Sequence, residues 1–154
     1  MANGHTWCSR LIVYLQCYDN NKAETVVNLF SGSVEEFFWP RRVRSDHGME
    51  KVGVARLMLE KFGTDSNPHL TGRPVDNQRI ERLWKDVVCY VVDHYRELFY
   101  WMEDEAMVDP NKELHLLALQ TVFLPRINKS LTDFTAHWNN HPLRTERSLS
   151  PTQL

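Results

Sequence analysis

No stretch of the sequence approaches the roughly 18 to 20 uninterrupted apolar residues that cross a bilayer, and Met1 to Trp7 lacks the basic-then-apolar order of a secretory signal. Membrane insertion and secretion are therefore not expected. Cysteine is scarce: Cys8, Cys17 and Cys89 form an odd set without a Cys-x-x-Cys pair, which argues against a disulfide framework or a zinc knuckle. A reducing compartment, nuclear or cytoplasmic, is the expectation. Internal repeats, low-complexity tracts and a dividing linker are lacking too, so residues 1–154 are expected to form a single domain, with 1–8 atypical and 139–154 an irregular tail. Charge of one sign is also missing. The 18 Lys plus Arg against 20 Asp plus Glu leave a net of −2, which by itself discourages a polyanionic partner.

What is present is a composition of 42% hydrophobic and 25% charged residues over 154 positions, enough for a globular core. The charge is unevenly placed. From Pro40 to Lys85 ten basic residues face six acids, a local excess of +4, whereas Glu103, Asp104, Glu105 and Asp109 form an acidic stretch that reads as a solvated loop.

Arg10 to Tyr18 is apolar and β-branched over a strand's length and stops at Asp19-Asn20-Asn21. Lys22 to Phe38 has helical spacing and ends before Pro40. Arg41 to Arg44 is short and extended, and its three arginines are either an added basic surface or the protective charges of an edge strand. Ser45-Asp46-His47-Gly48 then turns into a helix over Met49 to Phe62, which places Asp46 at the carboxyl end of a strand. Beyond the loop Thr71-Gly72-Arg73-Pro74, the residues Ile80, Leu83, Trp84, Val87, Val88, Val91, Tyr95 and Leu98 make a long apolar helical stripe. Tyr95, Phe99, Tyr100 and Trp101 continue it, so packing is expected of them rather than base stacking. Two further helices are expected, Asn111 to Leu124 and Pro125 to Trp138.

This order gives a mixed α/β fold in which polar residues at strand ends converge with residues from a helix. Asp46 and Glu81 fit that geometry. Glu81 has Asn77 one turn before it and Lys85 one turn after, on the face opposite Leu83 and Val87. Hard divalent ions take such oxygen ligands, and two-metal phosphoryl transfer requires several carboxylates. Local roles account for the same residues: Asp46 capping the following helix, Glu81 pairing with Lys85 and Glu50 answering the helix dipole.

RSDHGMEKVGVARLM followed by TGRPVDNQRIERLWKDVV resembles the integrase core of the retroviral-integrase and transposase superfamily, particularly cores derived from animal transposable elements. The strand SRLIVYLQCYDNN and the tail WNNHPLRTERSLSPTQL extend the resemblance over nearly the whole chain. It implies a ribonuclease-H-like fold with a C-terminal helical extension, a DDE trio of acids holding Mg²⁺ or Mn²⁺, and DNA integration by strand cleavage and joining. Asp46 matches the second acid and Glu81 the third, so these two are the candidate catalytic and metal-binding residues. The first acid has no match, because residues 1–8 contain neither Asp nor Glu, and the first strand is expected to be missing. Catalysis is accordingly expected to be impaired. The resemblance also implies a DNA partner met through phosphates by Arg73, Asn77, Arg79, Arg82 and Lys85, with no organic cofactor. A homo-oligomer or a protein partner docked on the helices after Val75 is the competing expectation.

Overall fold

The computed structural model describes residues 2–5, 9–45, 52–71 and 78–154. The chain is a helix-rich mixture of helices and short strands that divides into two compact units, one made of Asn20–Glu81 and the other of Asn3–Asp19 with Arg82–Leu154.

In the first of these, apolar residues at helical spacing build α1 (Ala23–Phe37), which buries Phe30 and Val34. Helix α2 (Val52–Phe62) buries Val54 and Met58 against them, and Val26, Val43 and Leu57 complete the cluster. The two helices approach closely at Gly53, where a β-carbon would collide with the Val27 side chain. Between and after the helices run β3 (Val43–Ser45) and β4 (His69–Thr71), paired in parallel with Val43 opposite His69, Arg44 opposite Leu70 and Ser45 opposite Thr71. Strand β4 falls where the sequence signalled only the end of a helix and a loop; three residues are too few for alternation to announce a strand.

The second unit is built on β2 (Ile12–Gln16) and a long helical rod. The rod comprises α3 (Gln78–Val87), of which Arg82–Val87 belongs to this unit, a π-helical turn (Val88–Val92) and α4 (Asp93–Asp104). Leu83, Val87, Val91 and Tyr95 recur every four residues, and in a regular α-helix each such step drifts by roughly 40°. The wider π turn takes up that drift and keeps Val87, Val91 and Tyr95 on the core side. Helix α5 (Glu113–Asn140) closes the unit: Leu131 is fully buried with Ile12, Leu15, Leu83, Val87 and Val91, and Ile127, Phe134 and Trp138 pack around them. Each such side chain contributes on the order of 1.5–3 kcal/mol.

Two features depart from the sequence reading. Helix α5 is continuous through Pro125, where two helices were expected. Pro125 cannot donate to the Thr121 carbonyl, a penalty of about 3 kcal/mol in an isolated helix, but packing on both sides of it, Phe123 against Phe99 and Leu131 in the core, outweighs the break. A strand also precedes β2, where none was expected: Ala2–His5 forms β1, paired with β2. Strand pairing is carried by backbone groups, so a segment without an apolar pattern can supply it.

Helix α5 runs alongside β2 and binds its backbone at both ends. Asn139 accepts from the Ile12 N–H and donates to the Ile12 carbonyl, both at 2.9 Å, while Asn128 accepts from the Cys17 N–H at 2.8 Å and donates to the Cys17 carbonyl at 2.9 Å. The spacing explains the match. From Asn128 to Asn139 the helix rises about 16.5 Å, and from Ile12 to Cys17 an extended chain covers about the same length. Trp138 adds a bond from its indole N–H to the Arg10 carbonyl at 3.0 Å. The tail is pinned in turn: Thr152 donates to the Asn139 carbonyl at 2.6 Å, Leu143 and Pro151 are buried, and Ser150 and Gln153 form a reciprocal cap on the last 3₁₀ turn.

Candidate functional site

Parallel pairing brings the carboxyl ends of β3 and β4 side by side at Ser45 and Thr71. In open α/β sheets this is the edge at which ligands gather. Asp46 is the residue after Ser45, and the segment after Thr71 leads into α3, which carries Glu81. Asp46, Arg73 and Asn77 themselves lie outside the described residues, as do His47 and Glu50.

Helix α3 is split sharply by its sequence. Leu83 and Val87 are fully buried, whereas Glu81, Arg82 and Lys85 are exposed on the other face. Arg79 sits in the first turn of the helix. No hydrogen bond or ion pair engages Glu81, Arg82 or Lys85 among the described residues. In particular, Glu81 and Lys85 are not paired, although their i, i+4 spacing allows it. By contrast, Arg56–Glu60, Arg96–Asp93 and Lys129–Asp133 do pair along their own helices, at 2.8, 2.6 and 2.9 Å. Three ionised groups on one side of α3 are thus left to solvent or to a ligand.

The family described as integrase core domain matches residues 3–154. The chain belongs to the integrase core domain family. No curated protein and no solved structure matches it.

Membership of the integrase core family implies a divalent cation, which is held by several converging oxygen ligands. Among them no three His, Cys, Asp or Glu side chains come together. Glu81 supplies one exposed carboxylate, short of the set that holds two ions about 3.5–4 Å apart, and its counterpart Asp46 is outside the described residues. The described residues therefore do not make a two-ion centre.

The tail that carried part of the family resemblance has a structural role that sequence reasoning missed. Trp138 and Asn139 clamp β2, and Arg10 reaches the turn of Arg144–Glu146 through Thr145 at 3.0 Å and Glu146 at 3.6 Å. Helical spacing offered one signal, since Asn128, Leu131 and Asn139 recur close to the face that holds Trp138. The aromatic run behaves as expected in part: Tyr95 and Phe99 pack with Phe123, and the Tyr95 hydroxyl lies 2.9 Å from Ser130. Tyr100 and Trp101 remain exposed. Glu103, Asp104 and Glu105 are exposed as well, and the bond from the Asn111 backbone, with Lys112 nearby, holds the Asp109 carboxyl below the usual range. No helix among the described residues is long and apolar enough to cross a membrane.

Proposed function

We propose that this chain is a nucleic-acid-binding integrase core of ribonuclease-H type, in which the exposed face of α3 meets DNA phosphates and Asp46 with Glu81 is the remainder of a divalent-cation site. The observation that carries the reading is the pair of cations Arg82 and Lys85, exposed and with no hydrogen bond or ion pair among the described residues, on a helix whose opposite face is locked into the core. Exposed cations on a packed helix bind a polyanion by releasing its counterions, so affinity is independent of base sequence and falls with salt. Arg79 from the same helix, and Arg73 with Asn77 from the segment before it, extend the proposed contact. The ancestral chemistry in this reading is strand cleavage and joining, to which Asp46 and Glu81 contribute two of the three acids.

Fluorescence anisotropy with a labelled duplex tests it. Arg82→Glu with Lys85→Glu should abolish measurable binding at moderate salt and reduce the salt slope by roughly 1.8 for two lost phosphate contacts. An unchanged slope in the folded double variant refutes the α3 interface. Mn²⁺ titration calorimetry with Asp46→Asn and Glu81→Gln tests the metal remnant separately, since each substitution should abolish any saturable uptake.

One observation favours a second reading, in which the helices after Val75 dock a protein. Tyr100 and Trp101 on α4 and Leu114 and Leu117 on α5 are all exposed, with Leu114 at 77%. Loss of DNA affinity in the α3 variant distinguishes the two, because docking through α4 and α5 leaves that affinity unaffected.

A further inference from the structure

The link from α1 to β3 holds an arrangement that neither the family match nor the α3 face explains. Phe38 follows the last residue of α1 with φ 66° and ψ 170°, a region of backbone space that only glycine occupies readily, and its ring is 82% exposed. A bulky side chain is thus held in a conformation it disfavours while gaining little burial. Directly after it, Trp39 is seated between two rings, edge-on to Phe30 and to Phe62 with centroids 6.1 Å away in each case, and the Lys61 ammonium stands 5.5 Å from its ring centre. Pro40 then fixes the chain direction, and Arg41 and Arg42 follow, both exposed and with no hydrogen bond or ion pair among the described residues.

From this geometry we infer a single-strand nucleic-acid site: Phe38 stacks on an unpaired base, beside the fixed Trp39 ring, and Arg41 and Arg42 hold the flanking phosphates. Each part has the required chemistry. An exposed ring on a short link presents its face to any base, whatever its identity, and adjacent guanidiniums track the backbone of the strand. Glu35 and Glu36, exposed at the end of α1, repel phosphate and so direct the strand away from that helix toward the arginines. Duplex DNA offers no unpaired base to stack, so the site discriminates single strands from duplexes, which the α3 cations do not. The two sites stand on different elements, and either reading can fail alone.

The test uses the full chain, a fluorescein-labelled oligothymidylate and a duplex carrying the same label. Phe38→Gly removes the ring and relieves the backbone, so the variant should be no less stable than the parent while its affinity for oligothymidylate falls roughly tenfold. Duplex affinity should stay within about twofold, and Phe38→Trp should keep single-strand binding. Arg41→Glu with Arg42→Glu should lower the single-strand salt slope by roughly 1.4. Undiminished oligothymidylate binding by folded Phe38→Gly overturns the site. So does a parent chain that binds only duplex, which leaves the α3 reading standing, or a Phe38→Gly variant whose sole change is lost self-association, which assigns the ring to a protein contact.

Discussion

Removing the amide of Asn128 tests whether α5 braces β2 through side chains rather than through apolar packing alone. In Asn128→Ala the Cys17 N–H and carbonyl each lose a partner at 2.8 and 2.9 Å, in a part-buried setting where water replaces them poorly. A typical hydrogen bond contributes about 1 kcal/mol net, and a stranded buried group costs roughly 1–3 kcal/mol. The expected loss is therefore about 2–3 kcal/mol. Asn139→Ala should cost a similar amount at Ile12, and because the two sites stand about 16 Å apart the losses should add. The sum approaches the whole stability of many domains, so the single variants are the informative ones. Urea unfolding followed by far-UV circular dichroism reads the change as a lower midpoint at unaltered slope. Native-state hydrogen exchange localises it, with faster exchange over Ile12–Gln16 and unchanged rates in α1 and α2. A loss below about 0.5 kcal/mol in both variants refutes the reasoning, since it means the strand's polar ends are satisfied without the helix.

Further outcomes follow from burial. Tyr14 has its phenol pushed up to about 12 by desolvation, so the folded chain resists its ionisation while the unfolded chain ionises near 10. Its stabilising effect is full below pH 10 and is lost as pH rises toward 12, by up to about 3 kcal/mol, and alkaline unfolding of Tyr14→Phe should lack that component. Between the two described cysteines, Cys89 is exposed, whereas burial raises the Cys17 thiol, so maleimide labelling monitored by peptide mass should modify Cys89 well before Cys17. Gly53→Ala should destabilise by about 1–3 kcal/mol in thermal unfolding, because its methyl must displace Val27 between α1 and α2.

Much of this architecture was written in local pattern. The strand at Ile12–Gln16, the helices at Ala23–Phe37 and Val52–Phe62 and the rod beginning at Gln78 follow from apolar spacing, because a face that must be buried repeats with the period of its element. Family membership was likewise legible in contiguous motifs around Asp46 and Glu81, and the match over residues 3–154 agrees with it. The sorting of α3 into a buried and an exposed face also came from spacing alone, since 100° per residue separates Glu81, Arg82 and Lys85 from Leu83 and Val87.

Tertiary structure alone decided the rest. Sequence puts a break at Pro125, and only contacts from elsewhere in the chain keep α5 continuous through it. The parallel register of Ser45 with Thr71 and the brace from Asn128 and Asn139 join residues far apart in sequence, which no local period encodes. Whether Lys85 pairs with Glu81 was open in the sequence, because i, i+4 spacing permits a bond that weak surface attraction does not enforce. Position in the chain fixes which residues are able to meet; packing free energy, summed over the whole unit, selects which of them do.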